Sequence, residues 1–319
     1  MKLKRLFAVV LCVSLVAAVF AGCGKQSAKY NIGICQLVQH DALDAATKGF
    51  KDALTEKLGD DVSFDEQNAA NDSATCSTIV NRFVSGNVDL IFANATPALQ
   101  AAASATGTIP IVGTSITDYA SALEIDNWTG KTGTNITGTS DLAPLKEQAE
   151  MIKELVPDVK TVGILYNSGE ANSKYQANEV AKYLKDLGIT SKEYTSADSN
   201  DLASVVTTAC GEVDALYIPT DNTMASNAEI INNIAFPAGI PIVAGEAGIC
   251  KGCGIATLSI DYYSIGYKAG EMAYEILVNG KNPGDMEIGY AEELTKEYIA
   301  SRCTALGITV PDSYKAIEE

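Results

Sequence analysis

Arginine is nearly missing from this chain. Beyond Arg5 only Arg82 and Arg302 occur, and His40 is the single histidine. So few guanidinium groups suit a phosphorylated or dicarboxylate ligand poorly, because bidentate anion grips are the work of arginine. Positive charge is short overall, with 23 Lys and Arg against 40 Asp and Glu and a formal charge of −17. Such a surface repels phosphate backbones and anionic lipid headgroups, which argues against nucleic-acid binding. No phosphate-cradling Gly-x-x-x-x-Gly-Lys-Ser/Thr loop and no Gly-x-Ser-x-Gly elbow is present, and His40 has no evident nucleophile partner, so an enzyme is disfavoured. Cys250-Lys251-Gly252-Cys253 has zinc-knuckle spacing, yet no second such pair exists. A structural zinc site therefore lacks ligands, and a local disulfide or two thiols is the simpler reading. No metal or cofactor is expected.

What the chain does have is length and apolar content: 319 residues, 47% hydrophobic, enough for two domains and incompatible with a disordered tail. Its first residues set the compartment. Basic Met1 to Arg5, apolar Leu6 to Phe20 and then Ala21-Gly22-Cys23 read as a secretory leader over residues 1–22, too short and too sharply bounded for a comfortable membrane span. A cysteine after Ala-Gly resembles the lipobox of bacterial lipoproteins, although Phe20 stands where Leu is usual. That resemblance implies lipidation of Cys23 and residence on the extracytoplasmic face of the cell membrane, with residues 23–29 as a polar tether. An ordinary secreted protein with an incidental cysteine is the alternative.

Beyond the tether, short apolar runs alternate with amphipathic ones. Ile32 to Cys35 precedes Asp41 to Leu58, where Leu43, Ala46, Phe50, Leu54 and Leu58 recur at helical spacing. The order then repeats. Val162 to Tyr166 answers Ile32 to Gln36, Val213 to Asp221 answers Val88 to Thr96, and Ile240-Pro241-Ile242-Val243 answers Ile109-Pro110-Ile111-Val112. Near-constant offsets predict an α/β protein of two similar Rossmann-like lobes with parallel sheets. The expected division is residues 30–140 plus 262–284 in lobe 1 and 141–261 plus 285–319 in lobe 2. Three crossings, at Asp141, Asp261 and Asn282 to Asp285, form a hinge. A last strand is expected at Glu287 to Tyr290, followed by a helix from Lys296 to Leu306.

In parallel α/β sheets the ligand sits past the carboxyl ends of the strands. Those positions hold Gln36, His40, Asn94, Thr96, Thr114, Ser115 and Asp118 in the first lobe. The second supplies Tyr166, Asn167, Glu170, Asn172, Ser173, Asp221, Asn222 and Glu246, with Asp261 at the hinge. The set is rich in carboxylates, amides and hydroxyls, so it suits an ammonium group on Glu170, Asp221 or Glu246. A ligand carboxylate is placed at the helix N-terminus begun by Thr96-Pro97. Tyr166 and Tyr119 are candidate aromatic walls. Each residue also has a plainer role as a helix cap or core group, Thr96 above all. Sugars and nucleosides stay open as ligands, and a ligand sensor as an alternative role.

Several strings resemble a known family: Asn31-Ile-Gly-Ile-Cys-Gln-Leu-Val-Gln-His40 with Leu43-Asp44, Asn94-Ala-Thr-Pro97, Ser115-Ile-Thr-Asp118, Thr137-Gly-Thr-Ser-Asp141, Tyr166-Asn-Ser-Gly-Glu-Ala-Asn-Ser173, Pro219-Thr-Asp-Asn222 and Ile260-Asp-Tyr262. Together they look like the tryptophan-binding-protein-like substrate-binding lipoproteins of ABC transporters. The resemblance implies a type I periplasmic-binding-protein fold and uptake of an aromatic amino acid or a related small solute through a membrane permease and an ATPase on other chains; the chain is expected to be a monomer. Tyr119 stands where the family more often has Pro, and Glu246 where Asp is expected.

Overall fold

The structure is a computed structural model that describes residues 28–292 and 294–318. The leader and Cys23 lie outside the described residues. In the first half β1 (Tyr30–Gln36), α1 (Asp41–Leu58), β2 (Val62–Asn68), α2 (Ser73–Ser85), β3 (Leu90–Asn94), α3 (Thr96–Ala105), β4 (Ile111–Ile116), α4 (Tyr119–Ala122) and β5 (Ile136–Ser140) follow one another. The second half runs α5 (Leu145–Leu155), β6 (Thr161–Asn167), α6 (Ala171–Asp186), β7 (Thr190–Ser196), α7 (Leu202–Cys210), β8 (Ala215–Ile218), α8 (Asn222–Ser226), α9 (Ala228–Ala235), β9 (Ile242–Ala244), α10 (Ala247–Cys253) and β10 (Ala256–Ile260). The chain closes with α11 (Tyr262–Leu277), β11 (Leu294–Tyr298), α12 (Ala300–Ala305) and β12 (Lys315–Ala316).

Two sheets result, ordered β2-β1-β3-β4-β5 and β12-β11-β10-β9-β8-β6-β7. The segment β7-β6-β8-β9-β10 repeats the first sheet strand for strand, which is the physical content of the repeat seen in the sequence. Near-continuous apolar strands such as Leu90–Asn94 are buried along their whole length, as expected for parallel strands covered on both faces.

The chain crosses between the sheets at residues 141–144 and again at Asp261. Helix α11 follows the second crossing and packs back on the first sheet, sharing a core of Ile32, Phe50, Leu54, Ala269, Ala273 and Ile276. Two glycines permit its close approach to α1. A Cβ on Gly266 would lie 2.0 Å from the Ala46 carbonyl oxygen, and one on Gly49 would lie 2.2 Å from that of Tyr263.

Three segments differ from the sequence expectations. The chain at Asn282 to Asp285 does not cross: Gly133 donates to the Gly284 carbonyl, and Ser140 to that of Gly289, so the segment still runs along β5. It joins the second sheet only at Leu294. Glu287 to Tyr290 makes a single bridge, Thr139 to Gly289, and is not a strand. Residues 294–298 form β11, antiparallel to β10, instead of opening a helix. Lys296 and Glu297 are good helix formers, but sheet pairing overrides a weak local preference; the helix begins at Ala300.

Candidate functional site

A small, nearly filled cavity of about 10 Å³ lies between the two sheets' carboxyl ends. The first half contributes His40, Leu43, Ser115 and Asp141; the second contributes Asn172, Thr220, Asp221, Asn222, Ala225 and Glu246; and Tyr262 enters from the start of α11. Three of these are buried carboxylic acids, and none is Lys or Arg. Burial pushes the Asp141 carboxyl up to about 6, against hydrogen bonds from the Tyr262 and Thr117 hydroxyls, with nearby Glu246 pushing further up. Burial likewise raises Asp221, with Glu170 adding to it, and raises Glu246, partly opposed by His40. Desolvation disfavours the charged form of an acid, so this chamber holds carboxylates short of a counter-charge.

The acids differ in how fully they are used. Asp221 caps α8, accepting from Met224 N at 2.8 Å and from Asn167 N at 2.7 Å. Glu246 caps α10 through the N–H groups of Gly248 and Ile249. Asp141 caps no helix and accepts from two side-chain hydroxyls, Tyr262 Oη at 2.9 Å and Thr117 Oγ1 at 3.1 Å. Beside them, His40 Nδ1, Ser115 Oγ and Asn172 Oδ1 are buried polar atoms with no partner. A buried polar atom is ordinarily paired, so these three point to a bound polar group. Ser115 also holds φ at +56° where the β4–β5 register shifts, a left-handed backbone that side chains rarely adopt and that clusters at ligand sites.

Of the residues expected at the strand ends, His40, Ser115, Asn172, Asp221, Asn222 and Glu246 line this cavity. The others do not. Gln36 is spent on Val38 O, Asp44 and Thr47. Asn94 ties β3 to α1 through Leu43 O and Thr47, and Thr114 pairs with Thr139 at 2.9 Å. Asp118 caps α4, and Ser173 turns toward Thr220 O.

Thr96 is the first residue of α3 and not its cap, which is Ala95 at φ +88°. Glu170 accepts five hydrogen bonds, from Asn172, from the backbone and side-chain amides of Asn222, and from the backbone and hydroxyl of Thr223. It has no capacity left for an ammonium group. Asp261 is exposed and caps α11, accepting from Tyr263 N at 2.9 Å.

The aromatic walls are corrected too. Tyr166 is in the second core, its hydroxyl on Glu193, and burial pushes it up to about 12. Tyr119 is buried beside Gly138 and donates to Thr139 O at 3.2 Å. The aromatic ring that does line the cavity is Tyr262, and with Asp141 it was not among the expected site residues.

Both scarce arginines are engaged elsewhere. Arg82 pairs with Asp65 on the surface. Arg302 donates to the carbonyls of Cys250, Lys251, Gly252 and Gly254 at 2.9–3.0 Å and so caps the C-terminus of α10. Lysine cannot span four carbonyls from a point charge. Arg302→Lys is expected to lower stability by about 1–2 kcal/mol, measured by denaturant unfolding; equal midpoints would show that the fork is dispensable.

Two similar parallel α/β halves facing one another across a polar cavity define a two-lobed solute receptor. The comparisons give the family. Residues 31–317 match the model for the ABC transporter substrate binding protein family, and the chain belongs to it. A tyrosine-binding protein of Clostridioides difficile is 40% identical over 266 residues, 82% of this chain and 76% of that one. A Streptococcus pneumoniae ABC domain in complex with L-Trp superposes with a TM-score of 0.86 at 33% identity, covering 90% of this chain and 99% of the other. A ligand-free, open substrate-binding protein with adhesive properties from Clostridium difficile gives 0.69 at 37% identity, covering 91% and 99%. The fold is that of the type I periplasmic binding proteins.

The lower score on the open structure, despite its higher identity, fits a closed arrangement here. So do the contacts between halves: His40 Nε2 to Asn222 Oδ1 at 3.2 Å, Gln176 Nε2 to Thr117 Oγ1 at 3.4 Å and Asn71 Nδ2 to Thr223 Oγ1 at 2.9 Å. Among the described residues, no helix is long and apolar enough to cross a membrane.

Proposed function

We propose that this chain captures an aromatic L-amino acid between its two lobes and presents it to an ABC permease driven by a separate ATPase. The observation that carries the amino-acid reading is the trio of buried acids, Asp141, Asp221 and Glu246, around a small cavity with no lysine or arginine. A primary ammonium group brings a positive charge to such a trio and offers three donors to it. Ser115, whose hydroxyl has no partner within the protein, supplies a donor for the ligand carboxylate, in keeping with the shortage of arginine. The aromatic side chain is supported by the two relatives whose names specify tyrosine and L-Trp, and by Tyr262 in the wall.

The crossings at Asp141 and Asp261, with a third after Gly289, act as the hinge between the lobes. Cys23 carries the lipid that anchors a monomeric receptor to the outer face of the membrane, with residues 23–29 as tether. A thermal-shift panel of amino acids, nucleosides and sugars tests the ligand class, since a ligand that binds only the folded state raises its apparent stability. Tryptophan, tyrosine or phenylalanine is expected to shift the transition most. A larger shift with a sugar or nucleoside would overturn the amino-acid reading.

A further inference from the structure

We infer that Asn71 is a latch that holds the lobes closed from outside the ligand cavity, and so sets how long the ligand stays. The inference rests on ligand capture by lobe closure. Asn71 lies in the loop between β2 and α2, on the first lobe, and does not line the cavity; with Leu37, Pro97 and Thr223 it borders a separate groove at the rim of the cleft. Its amide reaches across to Thr223 Oγ1 on the second lobe at 2.9 Å.

Thr223 is the end of a buried network. Its hydroxyl also accepts from Asn167 Nδ2 at 2.9 Å and donates to Glu170 Oε1 at 2.9 Å. A hydroxyl has one donor and two acceptor positions, so the amide of Asn71 fills the last one, and it can do so only when the lobes meet.

The loop is built to aim that amide. Asn68 Oδ1 accepts from Ala70 N at 2.7 Å, Asn71 N donates to Leu37 O at 2.8 Å, and Ala70 and Asn71 hold φ at +51° and +64°. Asparagine tolerates this left-handed backbone better than most residues, and the amide arrives at the cleft already oriented. A contact made only in the closed state shifts the population toward it without touching the ligand, and its loss appears mainly as faster release.

The test uses Asn71→Gly, which keeps the left-handed backbone and removes the amide, and Asn71→Asp, which replaces the donor with a charge facing Thr223 and Glu170. Stopped-flow dissociation of L-tryptophan and of L-tyrosine is expected to quicken by about two- to tenfold in Asn71→Gly, by the same factor for both ligands, and further in Asn71→Asp. In the ligand-free protein, fluorescence energy transfer between dyes on the two lobes should report a smaller closed fraction in both variants. Unchanged release and an unchanged closed fraction overturn the latch, and unequal factors for the two ligands make Asn71 a ligand contact instead. If the unaltered protein binds neither amino acid, the ligand reading fails by itself, and the ligand-free comparison still decides the latch.

Discussion

Asp141→Asn is expected to make the ligand-free protein more stable at pH 7 and a far poorer receptor. The folded protein holds this carboxyl at about 6, raised from 3.8 chiefly by burial. A raised carboxylate pKa means that folding favours the protonated form. The penalty for burying the charge is absent below about pH 4, grows between 4 and 6 and is full above 6. Asparagine keeps an acceptor for Tyr262 or Thr117 and carries no charge, so it should gain on the order of 1–3 kcal/mol at pH 7 and almost nothing at pH 4.

Binding should move the other way. Removing an acid held by side-chain hydroxyls and not spent as a helix cap is expected to weaken an ammonium ligand by about a hundredfold. The unaltered protein should itself lose affinity as pH falls below about 6, as Asp141 takes up its proton. Calorimetric titrations and melts of both proteins at pH 4, 5.5 and 7 check all three signs. Equal affinity at pH 7 would remove Asp141 from the site.

Glu170→Ala should do its damage before any ligand arrives. The carboxylate is buried and holds the start of α8 to the start of α6 through Asn172, Asn222 and Thr223. Truncation strands those donors without water, at a cost of about 3–5 kcal/mol. Lower stability of the ligand-free protein, with Glu170→Gln falling between, is the expected pattern. A variant that melts like the parent yet fails to bind would return Glu170 to the ligand.

This reassignment shows what the sequence can carry. Apolar runs such as Leu90–Asn94 and the repeat offsets made the two sheets legible, because periodicity and burial follow from backbone geometry. Placement at a strand end was also legible, and it found His40, Ser115, Asn172, Asp221, Asn222 and Glu246. Direction was not. Gln36 and Asn94 also stand at strand ends, but their amides turn back to Thr47 on α1, a choice fixed only when helix and sheet have packed. Asp261 and Tyr262 are neighbours in the chain, yet the first faces solvent as a cap while the second reaches Asp141. Asp141 reads as a crossing and Tyr262 as the first residue of the segment returning to lobe 1, and their meeting across 121 residues is a product of the crossings.

That meeting has a mechanical consequence. In a rotation, points near the axis move least, and Asp141 and Tyr262 sit where two of the three connections pass between the lobes. On the proposed reading, a ligand amine at Asp141 meets a carboxylate that moves little between open and closed forms, while the outer rim at Asn71 moves further. Capture on that reading begins at the pivot and finishes at the tips, with the charge of the ligand as the bearing about which the lobes turn.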